Sequence, residues 1–231
     1  RDYWLQLISK VDNVFSGDIG TNAKALDSPF APSELQKITF LDALDFIGIS
    51  AYPQLTSNSL GTMAEMESGW HSDIWQFDRV QELRDFLGKF QKPVFFTELS
   101  SPTVDGGNRV YYGVSATSGQ SAVSSIPRDF AEQSDFFDAS FNVLSREFGN
   151  YISGVFGYNW HGNVSDALID IDAMDDSYNW HLGGKPVTET ITQWYSGERF
   201  SNGIALAGSG KSDFLISGFY NDVIRGGRGS D

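Results

Sequence analysis

The sequence predicts an α/β protein of successive strand-then-helix units, and three observations carry that prediction. Four runs of strand length, at 14–19, 45–53, 92–100 and 154–160, are each followed by a segment of helical periodicity. The third run, Lys92-Pro93-Val94-Phe95-Phe96-Thr97-Glu98-Leu99-Ser100, is apolar on both alternating sides, as a strand inside a parallel sheet requires. No G-x-G-x-x-G turn follows any strand, which disfavours an open nucleotide-binding sheet and favours a β/α barrel.

Composition bounds the function. With 231 residues, of which 40% are hydrophobic and 14% aromatic, the chain can bury a sizeable core, and one α/β domain plus a small appendage fits. A net charge of -14 argues against nucleic acid or an anionic membrane as partner and suits neutral substrates or bound cations. Cysteine is absent, so disulfides and thiolate metal sites or nucleophiles are excluded. No apolar run reaches the ~18 residues of a membrane span. The start, Arg1-Asp2-Tyr3-Trp4, lacks the features of a signal peptide and reads as the inside of a domain.

Taken in order, Trp4, Leu7, Ile8 and Val11 recur at helical spacing and predict an uncapped amphipathic helix over 2–12. A short strand is expected at 14–19, then a loop with Pro29 and Pro32, then a helix opened by a Ser33/Gln36 capping box. The strand at 45–53 directs Ile47, Ile49 and Ala51 to covering helices and Gly48, Ser50 and Tyr52 to the opposite side. Residues 54–71 read as a polar loop, and Phe77, Val80, Leu83, Leu87 and Phe90 mark the helix before the next strand. In that strand strict alternation places Val94, Phe96 and Glu98 on one face, with Phe95 and Thr97 on the other. The Ser/Gly-rich stretch 100–126 is long enough to form a lid or cleft wall. Pro127 is expected to open a helix carrying Phe137, Phe141, Leu144 and Phe148, and Pro186 another that ends near Trp194 and Tyr195.

Three strands therefore end in Tyr52, Glu98 and Trp160. A buried, unpaired carboxylate costs several kcal/mol, so an acid ending an apolar strand is solvated, paired or employed. An acid beside a phenol and an indole is the makeup of a sugar cleft, in which aromatic faces stack on pyranose rings. Each aromatic taken alone is more readily explained by core packing; jointly the three favour the cleft.

These stretches, together with Gly184-Lys185-Pro186-Val187 and Trp194-Tyr195, resemble strands six, seven and eight and the final helix of clan A glycoside hydrolases. The nearest resemblance is to the β-mannanase-like family 113, over roughly residues 2–196. It implies the C-terminal half of a (β/α)8 TIM barrel, with Glu98 as the nucleophile of a retaining glycosidase. Tyr52 would lie near that nucleophile, and Trp160 would be the substrate-binding platform under the sugar. The family's acid/base glutamate lies at the end of strand four, which on this alignment precedes Arg1. The chain alone is therefore expected to be inactive.

The tail has a different pattern. From Gly208 it falls into nonapeptides of the frame G-G-x-G-x-D-x-U-x, in which Asp213, Asp222 and Asp231 recur every nine residues and Leu215 and Ile224 hold the apolar position. This resembles the haemolysin-type (RTX) repeat and implies the start of a calcium-binding parallel β-roll, with those three aspartates as Ca²⁺ ligands. It also implies a secreted, extracellular protein exported by a type I secretion system. The P-loop-like Gly208-Ser209-Gly210-Lys211-Ser212 has Ala205 in place of the first glycine and no helical pattern after it. His71, His161 and His181 lack H-E-x-x-H spacing, no G-x-S-x-G elbow occurs, and the acids at 166–176 read as a solvated loop.

The expected organisation is a partial barrel at 1–196, a linker at 197–207 and repeats at 208–231. The expected function is hydrolysis of a β-linked polysaccharide or oligosaccharide, β-mannan by resemblance. The rival reading is a non-catalytic, calcium-dependent carbohydrate-binding or surface protein on a degenerate barrel.

Overall fold

The computed structural model describes residues 1–26, 34–58, 61–109, 127–149, 151–158, 182, 185–196, 205–207 and 223–225. Helix α1 (Asp2–Asp12) has no side-chain cap, as expected, and buries none of its residues. Trp4 stacks on Phe40 with ring centroids 5.2 Å apart, and Arg1 pairs with Asp42 at 2.8 Å.

The first strand corrects the sequence reading. Val14 and Phe15 are exposed, and β1 spans Gly20–Ala25 instead. Its start is fastened by Asp45, whose Oδ2 accepts from the Ile19 N–H at 2.8 Å while the Asp45 N–H donates to Ile19 O at 2.8 Å. Ladder pairing and the small, buried Ala23 and Ala25 decide the strand here, against the higher β-propensity of the preceding residues.

Short helix α2 (Glu34–Lys37) lies where a helix was expected, and Ser33 of its supposed capping box is outside the described residues. Strand β2 (Phe46–Ala51) follows the predicted parity, with Ile47, Ile49 and Ala51 fully buried. The expected polar loop at 54–71 is overturned in its second half, where Met63–His71 forms helix α3. Thr62 and Glu65 make a reciprocal capping box, and Met66 and Trp70, four residues apart, bury one helical face. Gly69 is needed where α3 crosses the chain, because a Cβ there would stand 1.9 Å from Leu55 O.

Helix α4 (Arg79–Phe90), capped by Asp78, leads into β3 (Val94–Leu99). Helix α5 (Phe130–Phe148) begins three residues after Pro127, because Asp129 caps it by accepting from the Glu132 N–H. Phe137, Phe141, Leu144 and Phe148 are buried on its inner side. Strand β4 (Ile152–Gly157) and helix α6 (Pro186–Tyr195) complete the series. Strand order follows chain order, β1-β2-β3-β4, and every neighbouring pair is parallel. Among the described strands there is no reversal point of the kind that defines a doubly wound sheet. Helix α5 packs against α3, α6 and β4, and the buried core lies between these helices and one face of the sheet. No helix among the described residues is long and apolar enough to cross a membrane.

Apart from this sheet, β5 (Ala205–Ala207) pairs in parallel with β6 (Val223–Arg225), Leu206 facing Ile224. Strand β5 falls at the end of the stretch read as a linker.

The loop after β3 is held by one buried carboxylate. Glu132 accepts from the backbone N–H of Gly106 at 2.7 Å and of Asn108 at 3.1 Å, and also from the Asn108 side-chain amide. Asn108 in turn accepts the Thr56 N–H at 3.1 Å, tying the loop after β2 to the loop after β3. Burial pushes the Glu132 carboxyl above its ordinary value despite these donors. A folded-state pKa raised in this way adds stability that is complete below the unfolded value of about 4.3 and is lost as pH rises through the folded value. Urea unfolding of the native chain and of Glu132→Gln, from about pH 4 to pH 7, is therefore expected to show the native chain losing ground relative to the variant as pH rises. A constant difference, or the opposite slope, contradicts this account.

Candidate active site

Glu98 ends β3, and its direction is set by an irregularity that the sequence does not announce. In register with β2, Ile49 faces Phe96 and the next residue, Ser50, faces Glu98. In register with β4, Phe96 faces Val155 while Leu99 faces Gly157. Both neighbours thus count one extra residue in β3, a β-bulge at Thr97-Glu98. Burial agrees: Val94, Phe96 and Leu99 are fully buried against the helices, a spacing of two and then three.

Strict alternation, which grouped Glu98 with Val94 and Phe96, is therefore corrected. The bulge turns Glu98 to the other face, among the side chains of Ser50 and Tyr52. The physical reason is the cost of the alternative, an unpaired carboxylate packed into the apolar layer under the helices.

On that inner face the Tyr52 hydroxyl donates to Glu98 Oε2 at 2.5 Å, and the Ser50 hydroxyl donates to the same oxygen. Both donors come from residues less than a tenth exposed, so their positions are fixed by packing. With both hydroxyls on Oε2, the other carboxylate oxygen is the one neither of them engages. Tyr158, just past β4, sets its ring edge-on to Tyr52 at 6.1 Å and 84°, and its N–H donates to Leu99 O at 3.0 Å. Tyr158 is 40% exposed, so part of its ring stays available beside the acid.

On the bulged strand, Thr97 donates to Asn22 Oδ1 of β1 at 2.7 Å. This bond passes over Gly48 of the intervening strand, where a Cβ would come within 2.8 Å of the Thr97 methyl and 2.6 Å of Thr21 O. Gly48 is thus the gap that lets β1 and β3 touch across β2. Deeper in the same face Phe46 and Phe95 meet edge-on at 5.3 Å, and Phe156 of β4 is 59% exposed.

Glu98 and Tyr52 are therefore brought together as the sequence suggested. Trp160 and the aspartates Asp213, Asp222 and Asp231 lie outside the described residues, as do His161, His181 and the acids at 166–176. Ser50 and Tyr158 were missed as site residues, although each lies two residues before a residue that was singled out, Tyr52 and Trp160, on the same strand parity. Among the described residues no group of three or more His, Asp or Glu side chains converges as a metal site, and His71 is exposed at the end of α3.

Chemically, this is a carboxylate at the C-terminal end of a parallel strand, oriented by two fixed hydroxyls and flanked by aromatic surface. The model of Glycoside Hydrolase Family 113 matches residues 1–185. Among solved structures, a GH113 β-1,4-mannanase complex is 18% identical over 84% of this chain and 50% of its own, with a TM-score of 0.58. The GH113 β-mannanase of Alicyclobacillus acidocaldarius in complex with ManMIm is 20% identical over 85% of this chain and 50% of its own, with a TM-score of 0.58. At these identities the likeness establishes the fold, a wall of a (β/α)8 barrel, and the chain spans about half the length of these structures. No curated protein sequence matches the chain. A family match over more than three quarters of the sequence, on a parallel sheet in sequential order with an acid at the end of β3, means that the chain belongs to Glycoside Hydrolase Family 113.

Proposed function

We propose that this chain carries the nucleophile of a retaining endo-β-glycosidase of β-mannanase type. The observation that carries the reading is the Glu98 carboxylate turned inward by the bulge and held through Oε2 by Ser50 and Tyr52. Holding one oxygen leaves the other to attack, already oriented, which lowers the entropic part of the barrier.

In the first step that oxygen bonds to the anomeric carbon as the glycosidic C–O bond breaks. A second carboxylic acid gives its proton to the leaving oxygen. Water then attacks the same carbon, passes a proton to the second carboxylate and frees Glu98 with net retention. Glu98 is the only acid in β1 to β4, so we assign its partner to a part of the barrel beyond these strands, about 5 to 5.5 Å away across the cleft. The GH113 β-mannanase neighbours support mannan as substrate, and the strongly acidic chain suits an uncharged polymer. Trp160, two residues past Tyr158 on the same parity, is assigned as a stacking platform.

For the tail we propose a calcium-binding β-roll and a secreted protein. The parallel pairing of Ala205 with Val223 supports the roll, because its offset of 18 residues is twice the nonapeptide period. Leu206 and Ile224, paired in that register, occupy equivalent apolar positions of the repeat.

Two experiments test these readings. In the full-length gene product, Glu98→Gln should keep the fold and oligosaccharide binding while lowering turnover at least about a thousandfold. Turnover that persists in the variant sinks the mechanism, and sugar binding without turnover in the native protein favours the non-catalytic alternative. For the tail, circular dichroism on the complete repeat array should gain β signal with Ca²⁺ and lose it with a chelator. A spectrum indifferent to both removes the calcium assignment.

A further inference from the structure

The polar residues that organise Glu98 belong to a series that does not stop at Tyr52. Ser50 and Tyr52 hold the carboxylate, and two residues further on Gln54 holds an indole. The Trp75 Nε1–H donates to Gln54 Oε1 at 2.8 Å, and the Ile74 N–H donates to Gln54 O at 3.2 Å. Trp75 therefore hangs from the segment that leaves the C-terminal end of β2, the same end at which Glu98 sits. Tyr52 and Gln54 are at most about 7 Å apart along the chain.

Trp75 is also unusually well fixed for a residue that is 46% exposed. Its backbone N–H donates to Asp73 Oδ1 at 2.8 Å, and the same oxygen accepts the Phe77 N–H at 2.9 Å. The other oxygen of Asp73 is gripped by Arg79, from Nη2 at 2.6 Å and Nε at 2.7 Å, and both side chains are buried. Gln76, the next residue, is held at φ 64°, in the left-handed region that non-glycine residues enter only under constraint. A buried ion pair, two backbone hydrogen bonds and a strained successor thus fix a tryptophan that stays nearly half exposed. Packing does not require such a display.

Beside this loop runs a groove of about 410 Å³ that Leu55 and Ile74 line, the neighbours of Gln54 and Trp75. Its polar lining is uncharged hydroxyl, from Thr56, Ser57, Ser68 and Ser72, apart from Glu65 and the ion-paired Asp73. The groove is lined by the chain neighbours of Trp75, and an exposed, fixed indole next to a mostly uncharged polar groove suits a neutral polyol ring, whose C–H face stacks on the indole and whose hydroxyls exchange hydrogen bonds.

We propose that Trp75 is a fixed stacking platform for a sugar unit of the β-linked chain, at a subsite removed from the bond that Glu98 attacks. The assignment rests on the glycosidase reading and adds to it a residue that measures substrate length. A short substrate that spans only the residues around Glu98 leaves Trp75 unused, and a longer one gains its contact.

The test uses the full-length gene product in a Glu98→Gln background, so that sugars are bound and not consumed. Calorimetry compares β-1,4-linked disaccharides and hexasaccharides of mannose, glucose and xylose. Trp75→Ala should weaken the preferred hexasaccharide about tenfold and the disaccharide several-fold less, and Trp75→Phe should recover most of the loss. Equal hexasaccharide affinity in Trp75→Ala overturns the platform. So does an equal loss for both lengths that Trp75→Phe does not recover, because that pattern belongs to a purely structural residue. In either of those cases the glycosidase reading stands. It falls together with the platform only if the parent binds none of the sugars and the native protein hydrolyses none.

Discussion

One inserted residue in β3 decides where Glu98 points, and the proposed chemistry depends on it. Were β3 regular beyond Phe96, Glu98 would continue the line of Val94 and Phe96 into the helix-covered layer, and Leu99 would turn to the open face. The cost would be several kcal/mol for the buried carboxylate, and a large apolar side chain would be lost from the core. The bulge satisfies both residues at once. Leu99 packs fully buried under the helices, and Glu98 reaches two hydroxyls that β2 had already placed on the inner face. Bulges concentrate beside active sites because they re-aim one side chain without disturbing the strands on either side.

The support for that acid comes from both neighbouring strands and from the loops above them. Tyr158 braces Tyr52 from β4, and Gly48 opens the space through which Thr97 reaches Asn22 on β1. Two buried carboxylates do structural work around this centre. Glu132 gathers the loop after β3 and, through Asn108, the loop after β2, whereas Asp73 gathers the turn that presents Trp75. Neither contributes as a simple salt bridge. Desolvation offsets much of the attraction in a buried ion pair, and the specificity of several backbone N–H donors converging on one carboxylate is what fixes the loops. In a barrel the loops beyond the strand ends shape the cleft, so in the proposed reading these hydrogen-bonded loops belong to its wall.

The parts of this design that were legible in the sequence are those written in hydrophobic period. Strand β2 was read down to its parity, because Ile47, Ile49 and Ala51 alternate with small or polar residues. Helices α4, α5 and α6 carry clear apolar stripes or an initial proline. Strand β1 was misplaced because its helix-facing positions are alanines, whose burial leaves little hydrophobic signal, whereas the exposed Val14 and Phe15 just before it mimic a strand. Helix α3 is hidden by its Ser68-Gly69 pair and the serines and glycine of the loop before it, although Thr62-Met-Ala-Glu65 is a capping box that could have revealed it. The bulge was not legible, because an extra residue leaves no mark on composition and shows only when the registers with β2 and β4 are counted. For the same reason strict alternation assigns Glu98 to the wrong side of its strand, although the sequence already places Tyr52 near it, where the structure shows their hydrogen bond.

The central claim is that Glu98 is the atom-bearing partner of the sugar, and not a charged neighbour of some other nucleophile. Its most direct test is covalent trapping. The full-length protein is incubated with a fluorosugar glycoside that slows release of the glycosyl-enzyme, then digested and mapped by mass spectrometry. The account predicts one added glycosyl group on the peptide that contains Thr97-Glu98-Leu99, localised by fragmentation to Glu98. A stable adduct on any other residue, or turnover of the reagent with inversion at the anomeric carbon, would contradict it.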